Sequence, residues 1–508
     1  MYAPSLDELR ELREQGNLCP IYREIMADLE TPVSAYLKLA DSAGSSRSAP
    51  SFLLESVTGG QNVGRYSFIG SDPYMTLRMH EGQAQASQGG YKQTLSYDDP
   101  LLVLESYVNA YRPVRLPNLP IFVGGAVGYL SYEAARYFER LPVPTARAYD
   151  MPDSWWMFVD TLLAFDHVKH KILVISHVHL DAEELELEYA RAVGRIEGVI
   201  ARLQRPLPAP ASNAPRNYEP HSAPPKSTPV AAISNRTRAE FEQAVLTAQE
   251  YVMAGDIFQV QISQRFSKPT PADSFTIYRA LRTINPSPYM FYIRTGEGDL
   301  VGASPEMLVK VQEGNIETRP IAGTRWRGRD TAEDERLAAD LLADEKERAE
   351  HLMLVDLGRN DVGRISLPGT VNVPTFMTIE KYSHVQHIVS AVTGKLRPEL
   401  KPIDALRACF PAGTVTGAPK IRAMEVIAEL EDQQRGLYAG AVGHVGFNGD
   451  LDTCIALRTM IVKDGVAYAQ AAAGVVADST PEYEYVESCN KVAASLRAID
   501  LAEELIEG

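Results

Sequence analysis

From Arg205 to Val230 the chain is dense in proline, alanine and serine and carries no hydrophobic period. Proline fixes φ and removes a backbone donor, so neither a helix nor a central strand runs through such a stretch. It predicts an exposed linker or long loop over 205–230, dividing the chain into a block over 1–204 and a larger one over 231–508. At 508 residues the chain can bury a large core, as several average domains or one large one.

Within the first block, residues 1–40 read as polar helix with Leu6, Leu9 and Leu12 as a short apolar stripe. Ser51-Phe-Leu-Leu-Glu-Ser56 reads as a buried strand, and Tyr66-Ser-Phe-Ile-Gly70 as another after a turn at Gly59, Gly60 and Gly64. Phe122–Leu130 is an apolar strand interrupted by glycines, which predicts a bulge. Asp160–Phe165 and Lys171–His177 read as a β pair, and Glu183–Leu203 as a charged helix. From Ile233 onward helices and strands alternate, ending in a helix over Glu482–Glu507. The fragments Gly125-Ala-Val-Gly-Tyr129 and Gly440-Ala-Val-Gly-His444 are similar but too short to establish duplication. Pattern alone therefore gives mixed α and β.

Charge narrows the partners. An excess of 66 acidic over 50 basic residues gives −16, which argues against nucleic acid, although a local basic site or a metal can still bind an anionic metabolite. Cys19, Cys409, Cys454 and Cys489 lie far apart with no CxxC pair, so a disulfide framework or zinc site is not expected and a reducing compartment fits. The charged N-terminus lacks the apolar stretch of a signal peptide, and no apolar run is long enough to span a membrane. The expectation is a soluble, cytoplasmic protein with no membrane partner.

The stretch Ala408-Cys-Phe-Pro-Ala-Gly-Thr-Val-Thr-Gly-Ala-Pro-Lys420 is flexible and rich in hydroxyls, and Ile421, Met424, Ile427 and Leu430 recur at helical spacing from about Pro419. Free N–H groups at that helix start, helped by Lys420, favour an anion, but an ordinary loop capping a helix fits equally well. Glu347 and Glu350 share one helix face, and Glu484 and Glu487 repeat the spacing near the C-terminus. Two such pairs suit Mg²⁺, a hard cation, yet charged pairs are also commonly just solvated. His387 sits on a strand-like alternation and is eligible as acid or base, or as a structural histidine. Glu306 ends Gly302-Ala-Ser-Pro-Glu306, where a strand end projects a side chain into a cleft or into solvent.

The order of several segments resembles the chorismate-utilising enzymes over essentially the whole chain. The matching stretches are Ala254–Val260, Asn285–Met290, Gly302–Glu306, Pro320–Arg325, Glu350–Asp356, Arg359–Asp361, Cys409–Lys420 and Asp478–Lys491. The resemblance implies an α+β fold of two antiparallel sheets packed as a sandwich with helices outside. It implies chorismate as substrate and Mg²⁺ held by Glu350 and Glu487, with Glu347 and Glu484 close by. It further implies Glu306 as general acid, His387 in support of the elimination and Thr414 in the same pocket. Gly323, Thr324, Tyr438, Arg458, Ala472, Ala473, Gly474 and Lys491 match positions that hold chorismate. The family commonly has glycine where this chain has Ala472, a methyl that tightens the pocket.

Two positions favour the anthranilate-forming branch, in which ammonia adds to the ring and pyruvate leaves. Ala322 stands where the aminodeoxychorismate formers carry an attacking lysine, and Gln259 where isochorismate and salicylate formers carry a lysine that activates water. An aminodeoxychorismate-forming chain and a non-catalytic sensor of tryptophan or holder of an amidotransferase are the alternatives. Retention of Glu306, His387, Glu350 and Glu487 together argues against the sensor. Leu53–Ser56 and Asn285–Met290 resemble the segments of a feedback site, implying that L-tryptophan binds Ser56, Pro288, Tyr289 and Met290 with Glu55 beside it. The 1–204 block is then regulatory and 231–508 the catalytic core. No nucleophilic-cysteine elbow is present, so the chain is expected to use ammonia alone. Glutamine then requires a separate amidotransferase subunit in a hetero-oligomer.

Overall fold

The computed structural model describes residues 2–40, 49–56, 64–208, 231–381 and 385–507. Residues 209–230 of the expected linker, and Gly59 and Gly60 of the expected turn, lie outside them. Two antiparallel sheets of twelve strands each carry the fold. The first runs, in spatial order, Leu18–Met26, Lys171–His179, Thr161–Asp166, Tyr66–Ser71, Ser51–Glu55, Tyr289–Arg294, Asp299–Ser304, Thr459–Lys463, Val466–Val475, Gln259–Pro269 and Ile233–Ser234. Gly417–Ala418 pairs with the start of the Gln259 strand. The second runs Ile321–Trp326, Val385–Lys395, Asn315–Thr318, Met307–Gln312, Leu451–Ile455, Ala441–Gly446, Gly125–Leu130, Ser154–Val159, Met75–His80, Gln83–Gln88 and Tyr91–Ser96, with Asn372–Lys381 added to the Val385 strand.

Both sheets thus take strands from both blocks. The seams are Ser51–Glu55 against Tyr289–Arg294, with Met290 opposite Glu55, and Gly125–Leu130 against Ala441–Gly446. The two similar fragments are therefore antiparallel neighbours, with Gly128 opposite Gly443. A Cβ on Gly128 would lie 2.0 Å from the Trp155 carbonyl, so close backbone approach explains that glycine. The expected bulge is absent from this strand: Gly125–Leu130 pairs without a register shift on both sides, and the strand begins at Gly125 rather than Phe122.

Successive strand residues point to opposite faces, and both faces here are covered. Phe52 joins a core between the sheets with Phe122, Phe291, Trp155 and Val442, whereas Leu53 joins the core beneath the outer helices. On the first sheet's outer face lie Pro32–Ala40, Leu185–Leu203, Ser274–Ile284 and Pro481–Glu507; on the second sheet's lie Pro100–Val108, Glu345–Gly363 and Pro402–Cys409. This is the sandwich with helices outside that the family resemblance implied.

The polar helix expected over 1–40 is corrected. Leu6–Leu12 is helical, capped by the Ser5 hydroxyl and Glu8, but Leu18–Met26 is a strand paired along its length with Lys171–His179. Cys19 and Ile21 are fully buried, and Pro20 is tolerated because this is an edge strand. The helix predicted from Pro419 begins one residue later, with Pro419 as its N-cap.

Candidate active site

Strand and helix ends converge at one end of the sandwich. The Gln259 strand begins there, the Val466–Val475 strand ends there, and the helices Glu345–Gly363 and Pro481–Glu507 start there. Ile321–Trp326 and Val385–Lys395 add a side wall in which Thr324 pairs with His387. The turn after Asp299–Ser304 supplies Glu306, and the short turn Gly413–Val415 supplies Thr414; both line one opening with Asp361, Cys409 and Leu357.

Glu306 is 7% exposed, and burial pushes its carboxyl up to about 8. The Thr414 hydroxyl pulls the value partly back, though without a hydrogen bond of good geometry. Solvation of Glu306 at a strand end is thereby excluded: at neutral pH it is a carboxylic acid holding a proton. His387 is the opposite case. Burial lowers its pKa, so the imidazole is neutral, and its Nδ1 lies 2.9 Å from the Gly323 carbonyl and 3.1 Å from the Thr324 hydroxyl. A carbonyl only accepts, so Nδ1 carries the hydrogen and Nε2 the lone pair.

Glu347, Glu350, Glu484 and Glu487 come to the same end of the molecule. Burial and the neighbouring Glu350 raise Glu347, and burial raises Glu484, which also feels Glu487. Glu484 is 4% exposed and its Oε2 has no partner among the described residues. Gln259 donates from Nε2 to Glu350 Oε1 at 3.1 Å, Arg325 reaches Glu347 Oε1 at 3.3 Å, and Lys491 pairs with Glu487 at 2.7 Å. Among the described residues no three His, Cys, Asp or Glu side chains close a metal cage by themselves. Enclosed carboxylates with an orphaned oxygen fit a hard cation that takes one or two protein carboxylates and completes its shell from substrate and water. Desolvation of Glu347 and Glu484 argues against a purely solvated role for those two members of the pairs.

The positions expected to hold an anion gather around the same space. Enclosure lowers the Arg458 pKa, and Tyr438 and Glu487 are its charged or polar neighbours. Among the described residues it makes no ion pair, which leaves its planar fork for a ligand carboxylate. Gly323 has φ +66°, and a Cβ there would stand 3.1 Å from Glu347 Oε2. A Cβ on Gly474 would lie 2.9 Å from Gln259 Nε2 and 2.8 Å from Gln261 Nε2, so a larger residue there must turn both amides aside. Lys491 donates to the Ala472 carbonyl at 3.0 Å. Ala472 packs in the core under the second sheet, whereas Ala473 faces Phe241 and Ile427 on the other side, so Ala473 can contribute only backbone.

Of the two readings of this loop, the geometry favours the ordinary one for Lys420, whose ammonium is paired with Asp361 at 2.8 Å and also reaches the Cys409 carbonyl. It fastens the loop to the helix Glu345–Gly363. Sequence reasoning also missed Arg435 and Glu431, a buried pair behind Thr414. Helical patterning carries no sign of partners that converge from separate segments.

The two feedback segments also meet. Glu55 is 5% exposed and accepts from Tyr278 at 2.5 Å and from Arg282 at 2.9 and 3.1 Å. Ser56 follows with a buried hydroxyl that has no partner among the described residues, Met290 is the strand neighbour of Glu55, and Pro288 and Tyr289 lie at the same end, with Tyr289 donating to Asp452 at 3.1 Å. Tyr289 stands opposite Ser304, whose hydroxyl accepts from the Glu306 N–H at 3.3 Å.

Comparison with known proteins agrees with this geometry. The family described as chorismate binding enzyme matches residues 49–497. The chain is 45% identical over 505 residues to anthranilate synthase component 1 of Acetivibrio thermocellus, covering 99% of this chain and 100% of the relative. It is 46% identical over 513 residues to that of Synechocystis, covering 98% and 99%. Among solved structures, anthranilate synthase component I from Streptococcus pneumoniae superposes with a TM-score of 0.74 at 36% identity, covering 93% of this chain and 99% of that one. The menaquinone-specific isochorismate synthase of Escherichia coli shares the fold at a TM-score of 0.68 and 18% identity, covering 97% and 98%.

Proposed function

Since this chain belongs to the family of chorismate-binding enzymes, we propose that it converts chorismate and ammonia into anthranilate and pyruvate. Ammonia adds at C2 of the ring while the C4 hydroxyl leaves, giving 2-amino-2-deoxyisochorismate. Elimination of the enolpyruvyl group as pyruvate then aromatises the ring. Glu306 carries the proposal: a carboxyl kept protonated to about pH 8 can deliver its proton to the departing hydroxyl, which leaves as water. Thr414 lines the same opening beside that acid, and His387, neutral with its lone pair on Nε2, accepts a proton during the elimination. Arg458, Tyr438, Lys491 and the backbone at Gly323, Thr324, Ala472, Ala473 and Gly474 bind and orient the substrate.

Glu350 and Glu487 are the proposed Mg²⁺ ligands, supported by Glu347 and Glu484. A bound Mg²⁺ supplies positive charge that offsets repulsion between these carboxylates and the substrate's own. Gln259 spends its amide hydrogen on Glu350 and cannot act as the base that would activate water, and Ala322 has no amine to attack the ring. Both favour free ammonia as nucleophile. Burial raises the Cys19, Cys409 and Cys454 thiols, so none is poised as a glutamine-attacking thiolate. Glutamine then serves only through a separate amidotransferase subunit in a cytoplasmic hetero-oligomer. L-tryptophan would bind at Glu55, Ser56, Pro288, Tyr289 and Met290, so that block 1–204 regulates the core 231–508. The deciding assay supplies purified chain with chorismate, Mg²⁺ and ammonium. Blue anthranilate fluorescence is expected; 4-amino-4-deoxychorismate, isochorismate or no product would refute the proposal.

A further inference from the structure

Arg435 is 1% exposed and lies just beyond the helix Lys420–Leu430. Its Nε and Nη2 donate to the two Glu431 oxygens at 2.8 and 2.7 Å, Nη1 donates to the Val415 carbonyl at 2.8 Å, and Nη2 donates to the Gln261 carbonyl at 2.7 Å. The guanidinium also lies 4.8 Å from the Tyr132 ring and 5.6 Å from that of Tyr438. Glu431 is held in turn by the Ser263 N–H and hydroxyl, both at 2.8 Å. The Gln261 N–H donates to the Thr416 carbonyl at 2.9 Å and closes the ring of contacts.

Each segment in this ring ends at the site. Val415 adjoins Thr414, Gln261 lies two residues from Gln259 and against Gly474, and Tyr438 is a proposed substrate contact. A buried ion pair is weak grounds for stability, since apolar replacements often do as well. A planar fork is needed for a different reason: it reaches acceptors on three separate segments at fixed angles, which a lysine's point charge cannot do.

We propose that Arg435 is a positioning residue, which holds the Thr414 turn, the start of the Gln259 strand and Tyr438 in the geometry of proton transfer without touching substrate. This rests on reading the site as a chorismate pocket. The test compares wild type, Arg435→Lys, Thr414→Ala and the double variant, with kcat and KM for chorismate and a melting curve for each. If wild type forms no anthranilate, the underlying reading fails; an active wild type isolates the positioning claim. The expected result is folded Arg435→Lys with kcat reduced about 10²-fold and KM within about threefold, as a displacement near 1 Å produces. Because both changes act through one turn, the double variant should fall no further than the worse single one. Unchanged kcat in Arg435→Lys, or losses that multiply, would overturn the proposal. If that variant does not fold, Ser263→Ala decides, since it removes one bond orienting Glu431. A several-fold loss of kcat at constant KM supports the claim, and wild-type kcat overturns it.

Discussion

At the residue scale the proposed chemistry depends on setting two titratable groups apart. The same burial keeps the Glu306 proton on and the His387 proton off, so an acid and a base coexist near neutrality. Glu306→Gln should lower kcat by about 10²–10⁴-fold, the usual worth of a positioned proton donor. For wild type at a fixed concentration of unprotonated ammonia, kcat should fall as pH rises through about 8. A flat profile across that range would remove Glu306 from the acid role. Stability follows the same carboxyl. Its folded-state value lies above the unfolded one, so the native state holds the extra proton and stability declines as pH rises from about 4 towards 8. Glu306→Gln should therefore melt above wild type at pH 9 and match it at pH 4. Neither the burial nor the sign of these shifts could be read in the sequence, because Pro305-Glu306 is locally an ordinary strand end.

At the element scale the carboxylates proposed to hold the metal sit on two helix starts at the same end of the molecule. Glu347 and Glu350 occupy the first turns of Glu345–Gly363, and Glu484 and Glu487 those of Pro481–Glu507. Their i, i+3 spacing was legible in the sequence; their meeting was not, since more than a hundred residues separate the pairs. Glu350→Gln and Glu487→Gln should each raise the Mg²⁺ concentration for half-maximal activity by at least about tenfold, read from activity against metal. An unchanged metal titration in both would discard those ligands. The strand Val466–Val475 makes a sharper demand at Gly474, where a methyl meets the Gln259 and Gln261 amides. Gly474→Ala should raise KM for chorismate with little change in melting temperature, because the amides must turn away from the pocket.

At the scale of the whole molecule, both sheets are built across the two blocks, so a ligand on one block is in strand contact with the other. Tyr289, in the proposed tryptophan site, faces Ser304, and Ser304 is bonded to Glu306. This gives feedback a short route through paired strands rather than through the linker. Saturating L-tryptophan should suppress anthranilate formation and raise the melting temperature, and Ser56→Phe should abolish both effects while leaving uninhibited turnover. Full activity at saturating tryptophan would defeat the regulatory assignment.

The sequence by itself determined the alternation of elements, most strand positions and, through motif order, the chemistry. Hydrophobic spacing and turn residues are local, and motif order survives without contacts. It misjudged Leu18–Met26, where a helical stripe in Leu6–Leu12 ends and edge pairing with Lys171–His179 takes over. It left Lys420 between an anion and an ordinary capping loop, because Asp361, the partner that holds it, is distant in the chain. Tertiary structure decided which charges are buried, which partners they meet and which side of the Val466–Val475 strand faces the pocket. Those are properties of burial and convergence, and they exist only once distant segments share the same low-dielectric space.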